Sequence, residues 1–379
     1  MAGRFLAHKE MKILHTFESY NADTGARGVK ILSEELVRRG HDVTVAAAGA
    51  TRSTEALNGV RVERFPISGN AVRGIAGPEN VIDEYRALLC DPRFDVVMNY
   101  AAQSWATDIA FTVLGKIKAK KVIVPCGYSK LGDPRYADYF RALPEFLKTY
   151  DQVVYLSGGY KDRKFGDAAG VNAPGKFSVI PNCADPKEFL EAPDDFRKRY
   201  GIGEAMMVVG VSNHAHAKRH EYFWATAARF LGRSVAFVLV GNAGPGLRTC
   251  YWPCRLAGAL GPNACSISNI SRADVISALK AADIFLHTSR TECDPIVMYE
   301  AFAAGLPIVA TPAGSMPEFS PPILIGKNPR ELAEHIRSLL ANETLRRERS
   351  AASERLAEQF TPTTMVDAYE KLYASLVAS

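Results

Sequence analysis

The 379-residue sequence has no run approaching the roughly 18 consecutive apolar residues that would cross a bilayer. Residues 1–10 hold no apolar stretch of the kind found in a secretory leader, so the expectation is a cytoplasmic protein, with at most peripheral contact at the inner face of a membrane. An excess of charge of one sign is also missing: 46 Lys and Arg face 41 Asp and Glu, and a net charge of +5 is too small to point to nucleic acid. Cysteine is scarce; the seven present are odd in number and scattered, and in a chain expected to be cytosolic they read as reduced thiols. Cys250 and Cys254, with Cys265 nearby, have a C-x3-C spacing that invites a zinc reading, but the sequence offers no clear fourth ligand, and the three are read as thiols. There is no low-complexity tract and no repeat with a period of roughly 20–50 residues. What is present is ordinary for a soluble chain, 47% hydrophobic and 23% charged, with enough length for two cores.

The most informative stretch is Thr291-Glu292-Cys293-Asp294-Pro295-Ile296-Val297-Met298-Tyr299-Glu300-Ala301-Phe302-Ala303-Ala304-Gly305. It lies between two apolar runs, residues 283–288 and 307–311, that read as buried parallel strands. Asp294 suits an N-cap, Pro295 the first helical position and Gly305 a C-terminal stop. Glu292 then sits on the loop after a strand, and Glu300 about one and a half turns into the helix. Amides at the helix start, near Ile296 and Val297, lie between them and favour an anion such as a diphosphate. The carboxylates can accept hydrogen bonds from neutral hydroxyls on either side. A nucleotide sugar has that layout: sugar hydroxyls, diphosphate, ribose hydroxyls. The alternative is an ordinary pair of solvated glutamates. The strand–loop–helix context favours the site, because open α/β sheets bind ligands beyond their strand carboxyl ends.

This E-x7-E pattern followed by A-F-A-A-G-L-P-I-V-A-T resembles the donor-site signature of the retaining, GT-B-fold glycosyltransferases of family 4. The resemblance implies an α/β GT-B fold: two Rossmann-like, doubly wound parallel-sheet domains facing each other across a cleft. The acceptor-binding domain would span residues 1–178, the nucleotide-sugar domain 179–360, and a last helix in 361–379 would return to the first domain. It further implies transfer of a sugar from a UDP- or GDP-sugar to a hydroxyl of a glycan or lipid-linked acceptor, in surface polysaccharide or lipopolysaccharide assembly. Rival readings are a non-catalytic partner protein and a nucleotide-sugar epimerase of the same fold. No cofactor or metal is expected, since no D-x-D cluster stands beside the site.

Along the chain, strand and helix patterns alternate. Residues 12–17, 42–46, 60–66, 95–99, 121–125 and 153–157 read as strands, with helices over 29–39, 79–89 and 107–117. The loop T-G-A-R-G, with Gly25, resembles the family's glycine loop near the reaction centre, although the family's glycines are adjacent. Relatives carry a histidine after the strand equivalent to Val122–Pro125; here Cys126 stands in that loop, and Asn99 and Gln103 are the remaining acceptor-side candidates. His15, at the end of the first strand, is read as structural. Lys116, Lys118, Lys120 and Lys121 form a basic cluster, either a solvated helix end or a contact for anionic lipid headgroups. Val179-Ile180-Pro181-Asn182-Cys183-Ala184-Asp185 resembles the family's linker, with Cys183 in place of glycine.

The second half repeats the alternation, with strands over 207–211 and 234–241 and helices over 221–230, 271–281, 330–340, 343–360 and 363–376. The family places an arginine and then a lysine–glycine pair after the first of these strands, both cations serving the diphosphate. Lys218 matches the lysine. Val211 or Ser212 stands at the arginine position, and Arg219 replaces the glycine, so Arg219 and Arg290 are the candidates to restore the charge. Gly241 and Asn242, opening a glycine loop, line the nucleotide pocket in the family. The resemblance gives Glu292 the sugar, Glu300 the ribose and Lys218 the leaving diphosphate. His214 and His216 have the chemistry of metal ligands, but an H-x-H loop without carboxylates does not make a site.

Overall fold

The computed structural model describes residues 10–21, 27–243, 250–259, 263–319 and 321–379. Its strands, in chain order, are Lys12–Thr16 (β1), Asp42–Ala48 (β2), Ser53–Leu57 (β3), Val60–Phe65 (β4), Ser68–Asn70 (β5), Gly74–Ala76 (β6), Val96–Tyr100 (β7), Lys120–Val124 (β8), Gln152–Tyr155 (β9), Phe177–Val179 (β10), Met206–Val211 (β11), Val235–Val240 (β12), Ala264–Ile267 (β13), Ile284–His287 (β14), Ile308–Ala310 (β15) and Ile323–Ile325 (β16). Contacts divide the chain into two units, Met1–Pro181 with Pro362–Ser379, and Asn182–Thr361.

In the first unit an eight-stranded sheet has the order β10-β9-β8-β7-β1-β2-β4-β3. Every neighbouring pair is parallel except β3–β4, an edge hairpin. The helix Arg27–Arg38 follows from its spacing: Val29, Leu32 and Leu36 are buried on one side while Arg38 is exposed. The last helix, Pro362–Ala378, packs on it. Glu370 takes a hydrogen bond from Arg39 at 2.7 Å and lies 3.0 Å from His41 Nε2, while the Tyr373 hydroxyl reaches His15 Nε2 at 3.2 Å and Met98 Sδ at 3.1 Å. His15 is thereby locked in the core, its Nδ1 2.8 Å from Ser33 Oγ.

The second unit holds a six-stranded, wholly parallel sheet, β13-β12-β11-β14-β15-β16. Its strands read as continuous apolar runs because both faces are covered. Along β12, Val238 and Val240 enter one core, with Met298, Tyr299 and Phe302. Val235, Phe237 and Leu239 enter the other, with Phe223, Leu332 and Ile336. Each such buried side chain contributes about 1.5–3 kcal/mol, so the alternation fixes which face every strand residue takes. Strand order in this sheet reverses between β11 and β14, the place where ligands of open α/β sheets bind.

Several elements differ from the sequence reading. Val179, read as the start of the linker, is the last residue of β10. The helix expected over 107–117 is regular only over Trp105–Phe111. The edge strand β3 and the β5–β6 ribbon carry no alternation that a period of two would reveal, and the helices Ala137–Thr149 and Lys161–Ala168 also escaped the reading.

Candidate functional site

β11 and β14 are parallel neighbours, paired through Val208–Ile284 and Val209–Phe285, so the loops after them emerge side by side. The β11 loop carries Lys218 and the β14 loop carries Glu292. The Lys218 ammonium donates to Glu292 Oε1 at 2.6 Å. Two further bonds stitch the loops: Thr288 Oγ1 donates to the Lys218 carbonyl at 3.0 Å, and the Arg290 amide donates to the Ala217 carbonyl at 2.8 Å. The Arg290 side chain itself is exposed. His287, the last residue of β14, places Nε2 3.5 Å from Glu292 Oε1. Burial alone would raise the Glu292 carboxyl, but His287 and Lys218 outweigh it and hold the group at about 2. His287 was not among the sequence candidates; a histidine at the carboxyl end of the strand that feeds the acidic loop was the available signal.

A turn from the next strand supports this loop. Gly314 has φ +61°, and a Cβ there would lie 2.4 Å from the Cys293 carbonyl oxygen and 2.9 Å from Glu292 Cβ. Only glycine permits that approach. The Ser315 amide then donates to the Cys293 carbonyl at 2.9 Å.

The helix behind the loop is Ile296–Ala303, with Pro295 as N-cap in extended conformation. This corrects the expectation that Asp294 caps it. Asp294 is buried and accepts from the Asn182 amide at 2.8 Å, Ser315 Oγ at 2.6 Å and Tyr299 Oη at 2.7 Å. Three partners outside the helix start compete better for the carboxylate than a cap bond would. Burial pushes the Asp294 carboxyl up to about 6 despite those hydrogen bonds. Ile296 and Val297 open the first turn, where amides lack intrahelical acceptors, and both side chains are half-buried.

Glu300 is buried within the same helix and accepts from Arg272 Nη2 at 2.5 Å. Arg272 also forks onto Glu188, with Nε at 3.1 Å and Nη2 at 2.8 Å. Burial opposes the charge on Arg272, yet the two carboxylates keep its guanidinium more basic than usual. Arg272, first residue of the helix Arg272–Lys280 that Ser271 caps, was missed by the sequence reading because 28 residues separate it from Glu300.

Arg219 occupies a left-handed position, φ +51°, between the 3-10 turn His216–Lys218 and the helix His220–Ala227. That is the conformation the family's glycine would adopt without strain. Its guanidinium lies over the Tyr222 ring at 4.3 Å. Gly241 allows β12 to press on the β11 loop, since a Cβ would stand 1.8 Å from the Ser212 carbonyl oxygen. The Asn242 carbonyl accepts from the His214 amide at 2.9 Å, while the Asn242 side chain is exposed. The rest of that glycine loop, residues 244–246, lies outside the described residues. Cys250 and Cys254, read from the sequence as thiols together with Cys265, lie beside His214 and His220, a grouping the sequence reading did not make; among the described residues Cys265 and His216 are not part of it.

On the first unit the acceptor-side candidates separate. Gly25 lies outside the described residues. Asn99 is completely buried, donating to Thr16 Oγ1 at 2.8 Å and accepting from Tyr150 Oη at 2.7 Å. It braces the sheet, so the expectation of an acceptor contact from its side chain is corrected. Gln103 and Cys126 lie on the loops after β7 and β8, which run side by side at the strand ends, the Ala102 amide donating to the Pro125 carbonyl at 3.0 Å. Ala101, Gln103 and Cys126 have φ of +71°, +61° and +56°, and Gly127 follows at +95°. Non-glycine residues pay roughly 1–2 kcal/mol each for this conformation. Asp162, unnoticed in the sequence, holds the second loop by accepting from the Gly127 and Tyr128 amides at 2.6 and 2.7 Å. Ser129 Oγ reaches Gln103 Oε1 at 3.2 Å, and Gln103 Nε2 is buried with no hydrogen-bond partner among the described residues.

Comparison with known proteins places these features in context. The family model described as "Glycosyl transferase 4-like domain" matches residues 24–182, and "Glycosyl transferases group 1" matches residues 204–342. An uncharacterized glycosyltransferase of Methanocaldococcus jannaschii is 26% identical over 313 residues, 76% of each chain. The GDP-mannose-dependent alpha-(1-6)-phosphatidylinositol monomannoside mannosyltransferase of Mycolicibacterium smegmatis is 27% identical over 304 residues, 75% of each chain. Among solved structures, sucrose-phosphate synthase from Thermosynechococcus elongatus superposes with a TM-score of 0.80 at 16% identity, over 97% of this chain and all of the other; that likeness concerns the fold.

Proposed function

The chain belongs to the GT-B glycosyltransferases of the group 1, family 4 type, and from that premise we propose that it transfers a sugar from a nucleotide-diphosphate donor to an acceptor hydroxyl with retention at the anomeric carbon. The observation that carries the reading is the Lys218–Glu292 pair at the switch point between β11 and β14, with Glu300 of the helix behind it paired to Arg272 of the helix Arg272–Lys280.

Each group has a task that its surroundings support. Lys218 has three N–H donors; one holds Glu292, leaving donors for the diphosphate as negative charge develops on it. The first amides of the helix, at Ile296 and Val297, add a positive end to the same anion. Glu292, ionised at any working pH, accepts hydrogen bonds from sugar hydroxyls. The Glu300–Arg272 pair faces the ribose hydroxyls. The bond from the anomeric carbon to the diphosphate oxygen breaks, the acceptor oxygen bonds to that carbon on the same face, and its proton passes to the departing phosphate oxygen. No protein nucleophile is needed, so the glutamates do not act as a glycosidase pair.

The M. smegmatis relative's name makes GDP-mannose the first donor to test and a lipid-linked polyol the first acceptor class. The exposed Lys116 and Lys118 are suited to an anionic membrane surface. A thermal-shift screen of UDP- and GDP-sugars, followed by NMR of the product's anomeric configuration, tests the proposal. One nucleotide should stabilise the protein and be released slowly in water and faster with acceptor. Failure of every nucleotide to bind, an inverted product, or an altered sugar with no transfer would overturn it.

A further inference from the structure

His214, His220, Cys250 and Cys254 bring two imidazole nitrogens and two sulfurs within 4.8 Å of one another. Cys250 Sγ lies 3.1 Å from His220 Nδ1 and 3.8 Å from His214 Nδ1, and Cys254 Sγ lies 3.4 Å from His220 Nδ1. A tetrahedral zinc ion with bonds of about 2.3 Å to sulfur and 2.0–2.1 Å to nitrogen sets its ligand atoms roughly 3.3–3.8 Å apart. Two of these three edges, 3.4 and 3.8 Å, fall in that range and the third, 3.1 Å, is slightly shorter, so a small outward shift of Cys250 would seat the ion.

The surroundings fit a metal as well as the distances do. Both histidines point Nδ1 into the cluster and tie Nε2 to a serine: His220 to Ser212 Oγ at 2.7 Å, His214 to Ser268 Oγ at 3.0 Å. An outer hydrogen bond that fixes the ring and its tautomer is the usual companion of a ligating histidine. His214, His220 and Cys254 are each 1% exposed. The cysteines stand one helical turn apart, the Cys254 amide donating to the Cys250 carbonyl at 3.0 Å, so both sulfurs share a face. Neither is in a disulfide.

We propose that these four side chains form a closed Cys2His2 zinc site with a structural role. Binding would release the two thiol protons to solvent and leave both sulfurs as thiolates, with no change of oxidation state. Four protein ligands leave no open position for water or substrate, which assigns the ion to architecture rather than to chemistry. What it would hold is the β11 loop: His214 and His220 bracket Lys218, and His214 also bridges to Ala243 beside β12. Hard, oxygen-seeking Mg2+ and Mn2+ are poor matches for this donor set. The site does not depend on the proposed reaction.

The test uses the full chain, purified under reductant without chelator. Mass spectrometry of the metals should find about one zinc per chain. After stripping, reduced protein should take up one equivalent of Zn2+ in competition with a chromophoric chelator. Co2+ should give tetrahedral d–d bands with thiolate charge transfer. Ser212→Ala, which removes only the outer bond to His220, should weaken zinc affinity roughly 10- to 100-fold. Cys254→Ser should abolish stoichiometric uptake, whereas Cys265→Ser, outside the cluster, should retain it. Wild-type protein with under about a tenth of an equivalent of metal and no saturable uptake would overturn the proposal. So would unchanged uptake by Cys254→Ser, or a Cys250–Cys254 disulfide in place of metal.

Discussion

Lys218 Nζ and Glu292 Oε1 stand 2.6 Å apart although 74 residues separate them in the chain. The contact exists because β11 and β14 are neighbours, and it joins the one strongly acidic carboxylate of the β14 loop to the cation of the β11 loop. The strand order of the sheet reverses at this point, the place where open α/β sheets generally bind ligands.

Removing the ammonium should therefore strike turnover harder than folding. Lys218→Met is expected to lower kcat about 100- to 1,000-fold, the usual effect of losing one donor to a developing anion. Circular dichroism should stay unchanged. Steady-state kinetics with the donor identified by the nucleotide screen check this; a loss confined to KM would mean that Lys218 binds the ground state only.

Arg272 is the counter-charge of two glutamates, Glu300 and Glu188. Arg272→Ala leaves Glu300 buried without it and is expected to destabilise the protein by about 3 kcal/mol. The double variant Arg272→Ala with Glu300→Gln should recover a large part of that loss, yet still bind nucleotide weakly. Denaturant midpoints and nucleotide titrations separate the two effects.

Arg219 sets two opposing terms against each other. Its left-handed backbone costs roughly 1–2 kcal/mol, and its stacking on Tyr222 returns about 0.5–1 kcal/mol. Glycine would relieve the first and forfeit the second, while costing about 0.5–1 kcal/mol in unfolded-state entropy. Arg219→Gly is thus expected to be near neutral in stability, and Arg219→Ala, which keeps the strain and loses the stacking, to be the less stable of the two. If the guanidinium also serves the diphosphate, both variants lose donor affinity equally.

Gly314→Ala would put a methyl group 2.4 Å from the Cys293 carbonyl oxygen at a φ of +61°. The loop must then move, carrying Glu292 with it. A displacement of about 1 Å in a positioned group commonly costs roughly 100-fold in rate. The expected outcome is a fall in kcat of that order in a protein that still folds, and retained full activity would show that the turn does not position the glutamate.

His15 governs one part of the acid response. Burial pushes its imidazole down to about 3, whereas in the unfolded chain it titrates near 6.5. Between those values the unfolded state binds a proton that the folded state refuses, so stability falls as pH drops through that window, by up to about 1.4 kcal/mol per unit. Asp294 works in the opposite direction, since its raised carboxyl takes up a proton in the folded state first. Urea midpoints of wild type and His15→Gln at pH 7, 6 and 5 should therefore converge as pH falls.

Much of this molecule is written locally. The apolar runs that became β11, β12, β14 and β15, the punctuation by Gly305 and Pro362, and the cap at Ser271 need only neighbouring residues to be understood. The positions of Glu292 on a loop after a strand and of Glu300 within the next helix were likewise legible from local spacing, whereas Lys218 stood out only through the family resemblance. Asp294 misled for a physical reason: as a local residue it is a good cap, but a buried carboxylate goes to whichever donors the fold supplies, here Asn182, Tyr299 and Ser315.

The sequence by itself determined that the chain would build two parallel sheets with acidic and basic loops at strand ends, since periodicity and turn chemistry act over a few residues. Only the tertiary structure decided that Arg272 neutralises Glu300, that Asn99 is consumed by the core, and that two histidines from one loop meet two cysteines about thirty residues later. Those outcomes depend on which strands lie side by side. That choice is made by burial summed over whole faces of the sheet, a quantity no short stretch of residues contains.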